Sequence, residues 1–293
     1  MTNKLMPVAV VLGALLQAPE ATALHAQAAD GESRYTSLDS SRIHYQSYGK
    51  GTAALVLIHG WSCNLDNWRD QVPDLAKRGR VIALDLPGHG KSDKPELTYS
   101  MDLFARAVEA VMGDAGVQRA VLVGHSMGTP VARQFYRKYP GKTLAIVVVD
   151  GPLTPFVDKQ MVESFIATFR GPNYKEAGAG MLAAMLGPSM TAEKKEQIRT
   201  SFLNTPQHVL VSAMEAMTDE AIWASDPINV PVLAVAAKSP MAPPDLEQRA
   251  RGVAPKLEFQ MWEGVGHFLM MEQPKRFNDA VIAFLDKNGL LKK

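Results

Sequence analysis

The 293 residues, 46% of them apolar, suffice for one large α/β core carrying an inserted subdomain, and they exclude a chain disordered beyond its ends. Basic and acidic residues nearly cancel, 31 against 30, with no block of like charge, so neither nucleic acid nor an anionic membrane surface is expected as a partner. Cys63 is the single cysteine, which excludes an intramolecular disulfide and leaves stability to the core.

Lys4 gives the first residues a positive start, and residues 6–16 follow as an apolar run broken only by Pro7 and Gly13. Ala26-Gln27-Ala28 then offers the small-x-small pattern that a signal peptidase accepts. Residues 1–28 therefore read as a cleaved signal peptide, and the mature chain is expected to be secreted or periplasmic. A frayed or amphipathic N-terminus is the plainer alternative. The run is too short to span a bilayer, and no later segment is long and uncharged enough, so no stable membrane insertion is predicted.

Residues 34–38 and 42–48 read as a hairpin around Asp39-Ser40-Ser41. Residues 54–58 are a continuous apolar run, as expected of a strand buried on both faces of a parallel sheet. Asp66 is placed to cap a helix running to Arg78. A strand is predicted over 81–84, a helix capped by Ser100 to Gly113, a strand over 120–123, a helix to Tyr139 and a strand over 144–149. The alternation implies a parallel sheet flanked by helices. It lapses over 151–226, where helical spacing at 161–169, 181–186, 192–202 and 209–223 predicts a helical cap insertion. Strands return at 232–236 and 257–262, and 274–285 reads as a closing helix. The core is thus expected in two parts, 29–150 and 227–293.

Gly124-His125-Ser126-Met127-Gly128 stands between an apolar strand and a helix. In this G-x-S-x-G pattern the serine occupies a sharp strand-to-helix turn, the glycines allow close backbone packing, and the hydroxyl stands above the sheet edge. A purely structural turn is the alternative. Serine needs a base to be nucleophilic, and His267, in the loop Gly264-Val265-Gly266-His267-Phe268 after the last strand, is placed to supply it. A histidine merely packed in a core is the alternative there. His59, His89 and His125 sit in motif loops and His44 in a strand, and none is preferred as base. Cys63 could act as a nucleophile only beside a positioned base, and reads instead as a small side chain in the pocket wall. The oxyanion donors are assigned to the backbone N–H groups of Trp61, in the turn His59-Gly60-Trp61-Ser62, and of Met127.

With these turns, Asp85-Leu86-Pro87-Gly88-His89-Gly90-Lys91-Ser92 completes four motifs in an order that resembles the α/β-hydrolase superfamily, in its esterase, lipase-like and C–C-bond hydrolase branch. The likeness runs from Tyr35 to the C-terminus. It implies the α/β-hydrolase fold, with the Asp85–Ser92 turn structural. The family's acid often follows the strand that here is 232–236, but Lys238-Ser239-Pro240 offers no carboxylate. Asp150, at the end of the 144–149 strand, is preferred as the acid that fixes the histidine tautomer; Asp245 and the absence of any acid remain the alternatives. The expected reaction is hydrolysis of a carboxylic ester through an acyl-enzyme. C–C hydrolysis with the same triad is the nearest rival, and a hydrolase-like binding protein with little turnover is a second. Met161, Met181, Met185, Met190, Met214 and Met217 either line an adaptable apolar pocket or pack as ordinary helix faces. A small ester with an apolar acyl group is the expected substrate, and no cofactor or metal is predicted.

Overall fold

A computed structural model describes residues 31–155, 159–240 and 242–291. The targeting segment read in residues 1–28, and the export it would direct, lie outside them. Eight strands form one sheet: β1 (Glu32–Leu38), β2 (Ser41–Tyr48), β3 (Ala53–Ile58), β4 (Arg80–Leu84), β5 (Arg119–His125), β6 (Thr143–Val149), β7 (Val232–Ala237) and β8 (Leu257–Trp262). Their spatial order is β1-β2-β4-β3-β5-β6-β7-β8. The β1–β2 and β2–β4 pairs are antiparallel, and the remaining five pairs are parallel. The apolar runs become the central strands because helices deny water access to both faces: every residue of β7 is buried, as are all but the first of β3 and β5. Each buried Val, Leu or Ile side chain contributes about 1.5–3 kcal/mol against exposure.

The helices are α1 (Val72–Leu75), α2 (Met101–Asp114), α3 (Gly128–Lys138), α4 (Lys159–Arg170), α5 (Tyr174–Met185), α6 (Ala192–Leu203), α7 (Gln207–Glu215), α8 (Leu246–Val253), α9 (Leu269–Glu272) and α10 (Pro274–Lys287). α3 packs on β5 and β6 and on α2, while α10 packs on α1 and α9. Ser100 caps α2 as expected, its hydroxyl accepting from the Leu103 amide at 3.1 Å. The single helix predicted over 66–78 is instead a 3-10 turn, Leu65–Trp68, followed by the one-turn α1. Its cap is Asn64 rather than Asp66, with reciprocal bonds between Asn64 and Asn67. Pro73, which lacks an N–H, sits in the first turn of α1, where it is tolerated; further into a helix reaching back to 66 it would break the ladder. The helix predicted over 209–223 likewise stops at Glu215, and a 3-10 turn, Glu220–Trp223, completes it.

α4 to α7 form the cap between β6 and β7. Arg133 and Arg137 on α3 hold both of its ends. Arg133, 1% exposed, donates to the Leu153 carbonyl at 2.5 Å and to the Ala224 carbonyl. Arg137 donates to Ala224 O at 2.8 Å and to Asp226 at 2.9 Å. The helix behind Ser126 therefore carries the chain into the cap and out of it.

Candidate active site

The turn at Ser126 is built by what cannot be added to it. A Cβ on Gly124 would lie 2.4 Å from the Gly128 carbonyl oxygen, and one on Gly128 would lie 2.4 Å from Ile58 O. Only glycine lets β5 fold back onto α3 this closely while α3 presses on the end of β3. Ser126 takes φ +52°, in the left-handed region, and its amide donates to Val149 O at 3.0 Å. Such a backbone costs about 1–3 kcal/mol and persists where the surroundings over-determine it. The residue is partly exposed at the C-terminal edge of the sheet.

Asp150 leaves the adjacent strand at the same edge, also at positive φ (+44°), with its amide on Val235 O at 2.8 Å. Its Oδ2 lies 2.6 Å from His267 Nδ1, and its Oδ1 accepts the Ala237 amide at 2.8 Å. One carboxylate thus bridges the imidazole and the end of β7. Asp245 lies elsewhere: it opens α8 without capping it, and its Oδ2 accepts from Arg249 at 2.8 Å. His267 follows β8, with its amide on Met185 O at 2.8 Å and its own carbonyl accepting from His125 Nε2 at 3.0 Å. The His125 and His267 rings are 4.8 Å apart, which brings the imidazole to the rim that carries Ser126. Among the described residues the Ser126 hydroxyl makes no hydrogen bond, to His267 or to any other group. Contacts of this kind commonly tighten only around substrate.

The β3 loop reaches the same point. A Cβ on Gly60 would lie 3.0 Å from Ser126 Cβ, so Trp61 follows immediately beside the Ser126 turn. Among the described residues neither the Trp61 nor the Met127 backbone amide donates to another group. The Trp61 indole is anchored in the cap, with Nε1 on Leu210 O at 2.8 Å and its ring 5.0 Å from Phe169 and 6.0 Å from Phe202. Met190 is buried, Met181, Met185, Met214 and Met217 pack partly buried against the core, and Met161 departs from either sequence reading by standing 55% exposed. Cys63 is fully enclosed, and burial pushes its thiol up to about 12, which makes it a poor nucleophile. No group of three or more metal-ligating side chains occurs among the described residues.

His59, His89 and His125 have structural surroundings. His59 Nδ1 donates to Gly60 O at 2.8 Å while Nε2 accepts the Leu86 amide at 3.0 Å. Burial lowers all three imidazoles: His89 to about 3, and His125 well below the ordinary value, helped by His267 beside it. They are neutral when folded but accept protons at about pH 6.5 when unfolded. Their contribution is therefore fully present well above pH 6.5 and is lost progressively as pH falls through that value toward their folded values. Urea unfolding should show stability dropping from pH 7 to pH 5 with net proton uptake; a flat profile there would contradict the assignment.

A family model described as "Alpha/beta hydrolase family" matches residues 55–280. The chain belongs to that family. Among relatives of this α/β hydrolase, a 2-hydroxy-6-oxononadienedioate/2-hydroxy-6-oxononatrienedioate hydrolase of Paraburkholderia phymatum is 28% identical over 261 residues, 83% of this chain and 91% of that one. A solved structure described as "Est816 as an N-Acyl homoserine lactone degrading enzyme" is 27% identical with TM-score 0.72, covering 86% of this chain and all of that one. A thermophilic esterase from Thermogutta terrifontis, at 23% identity and TM-score 0.75 over 88% of this chain and 99% of that one, shares the fold.

Two parts of the α/β hydrolase escaped sequence reasoning. α9 was not foreseen, and Glu272 was passed over. A signal for Glu272 existed: it is a lone carboxylate closing the apolar run Phe268-Leu269-Met270-Met271, where a charge is costly unless several donors hold it.

Proposed function

We propose that this hydrolase cleaves a carboxylic ester with an apolar acyl group through an acyl-enzyme on Ser126. As Ser126 Oγ attacks the carbonyl carbon, His267 Nε2 takes its proton, and the Trp61 and Met127 amides hold the oxyanion. Collapse breaks the ester bond, and the departing alkoxide takes the proton back from His267. A water, deprotonated by the same imidazole, then attacks the acyl carbon; the bond to Ser126 Oγ breaks, Oγ takes the proton back from His267, and the acid is released. The observation that carries this reading is the 2.6 Å contact between His267 Nδ1 and Asp150, which presents Nε2 as the basic nitrogen. The lactone-degrading likeness supports it, since a lactone is a cyclic ester. The aromatic rings of Phe165, Phe169 and Phe202 around Trp61 support an apolar acyl group.

C–C hydrolysis is the second reading, favoured by the 28% identical dienedioate hydrolase. One panel separates the two: p-nitrophenyl esters of graded acyl length, an N-acyl homoserine lactone, and a 2-hydroxy-6-oxo-dienoate. The ester reading expects kcat/KM on the best ester or lactone to exceed that on the dienoate at least tenfold. The reverse order would replace it with the C–C reading.

A further inference from the structure

The turn between α5 and α6 and the loop that carries His267 meet on one carboxylate. Glu272 ends α9, is 9% exposed and pairs with no Lys or Arg among the described residues. Its Oε1 accepts the Gly266 amide at 2.8 Å and the Gly187 amide at 3.0 Å, and its Oε2 accepts the Ser189 hydroxyl at 3.0 Å. Gly266 precedes His267, whereas Gly187 and Ser189 belong to the cap. The two backbones are in direct contact: a Cβ on Gly266 would lie 2.3 Å from Gly187 N, and one on Gly187 would lie 2.1 Å from Glu272 Oε2. The His267 amide, bonded to the last carbonyl of α5, closes the same junction.

A buried carboxylate without a cation is costly to hold, and three converging donors are what compensates it. All three belong to segments that must be registered against each other if the imidazole is to face Ser126. We infer that Glu272 is a positioning residue that seats the cap and sets the His267 loop through one shared acceptor, so that displacing the cap displaces the base. This rests on His267 being that base.

The test uses the full-length enzyme, with active sites counted by fluorophosphonate and kcat expressed per labelled Ser126. Glu272→Ala should lower kcat and the phosphonylation rate constant together by about 10–100-fold, as expected for a misplaced catalytic group. Glu272→Gln, whose carbonyl can still accept both amides, should recover activity to within about threefold of wild type. A carboxylate that only supports the fold would lower Tm and leave kcat per labelled site unchanged, which would overturn the inference. Should Glu272→Ala fail to fold, Ser189→Ala removes only the cap's exposed hydroxyl. Amide hydrogen exchange should then quicken at Gly266 as well as at Gly187, and unchanged exchange at Gly266 would also overturn it. Wild type that neither labels nor turns over any substrate would instead refute the serine-hydrolase reading itself.

Discussion

Replacing Ser126 with alanine should lower kcat on the best ester by about 10⁴–10⁶ and abolish fluorophosphonate labelling, while leaving Tm within a few degrees of wild type. Loss on that scale is typical when a triad nucleophile is removed, since binding and the oxyanion donors alone provide only the residue of the rate. The fold should survive because alanine keeps the Cβ and the left-handed backbone is already imposed on Ser126 by its neighbours: Gly124 against Gly128, Gly128 against Ile58, and the Ser126 amide on Val149. Cys63 should not take over, because its thiol is enclosed and raised to about 12. Labelling of wild type that disappears in Ser126→Ala also separates an enzyme from a pocket that only binds. Label retained by the variant, or turnover above about 1% of wild type, would move the nucleophile elsewhere.

What the sequence made legible followed from how local its cause was. β3, β5, β6 and β7 could be read from apolar runs because a strand covered on both faces has no polar side to display. The Ser126 turn could be read because its glycines are a steric requirement written within five residues. The acid could not be read in the same way. Asp150 and Asp245 both lie after strands that end at one sheet edge, and the choice depends on which carboxylate the His267 loop meets on its return. That is a tertiary fact: β6 lies between β5 and β7, so Asp150 leaves the sheet directly beside Ser126, whereas Asp245 is carried off to α8 and Arg249. The partners of Glu272 could not be read for a similar reason, since its three donors come from positions 187, 189 and 266. Residues 66–78 misled through Asp66 as a cap, a signal that does not register that Pro73 permits a helix to start but not to pass through.

Asp150→Asn should cost about 10⁴ in kcat, close to the loss seen when a triad aspartate is neutralised without moving it. The two oxygens of Asp150 both accept, one from His267 Nδ1 and one from the Ala237 amide. An asparagine has one oxygen for these two donors. With that oxygen on Ala237, its NH2 faces Nδ1, which must then be the bare nitrogen; the proton moves to Nε2, and the imidazole can no longer deprotonate Ser126. With the oxygen on His267, the NH2 is pressed against the Ala237 N–H, two donors facing each other at the end of a buried strand, which favours the first arrangement. The backbone should tolerate the change, since Asn readily occupies the left-handed region that Asp150 already adopts at φ +44°. Asp245→Asn, which loses only an exposed pair with Arg249, should alter kcat by less than about twofold. The two variants, compared per labelled Ser126 on one ester, test whether the tautomer of His267 is set from β6. A severe loss in Asp245→Asn with a near-normal Asp150→Asn would mean that the imidazole turns to the other carboxylate during turnover.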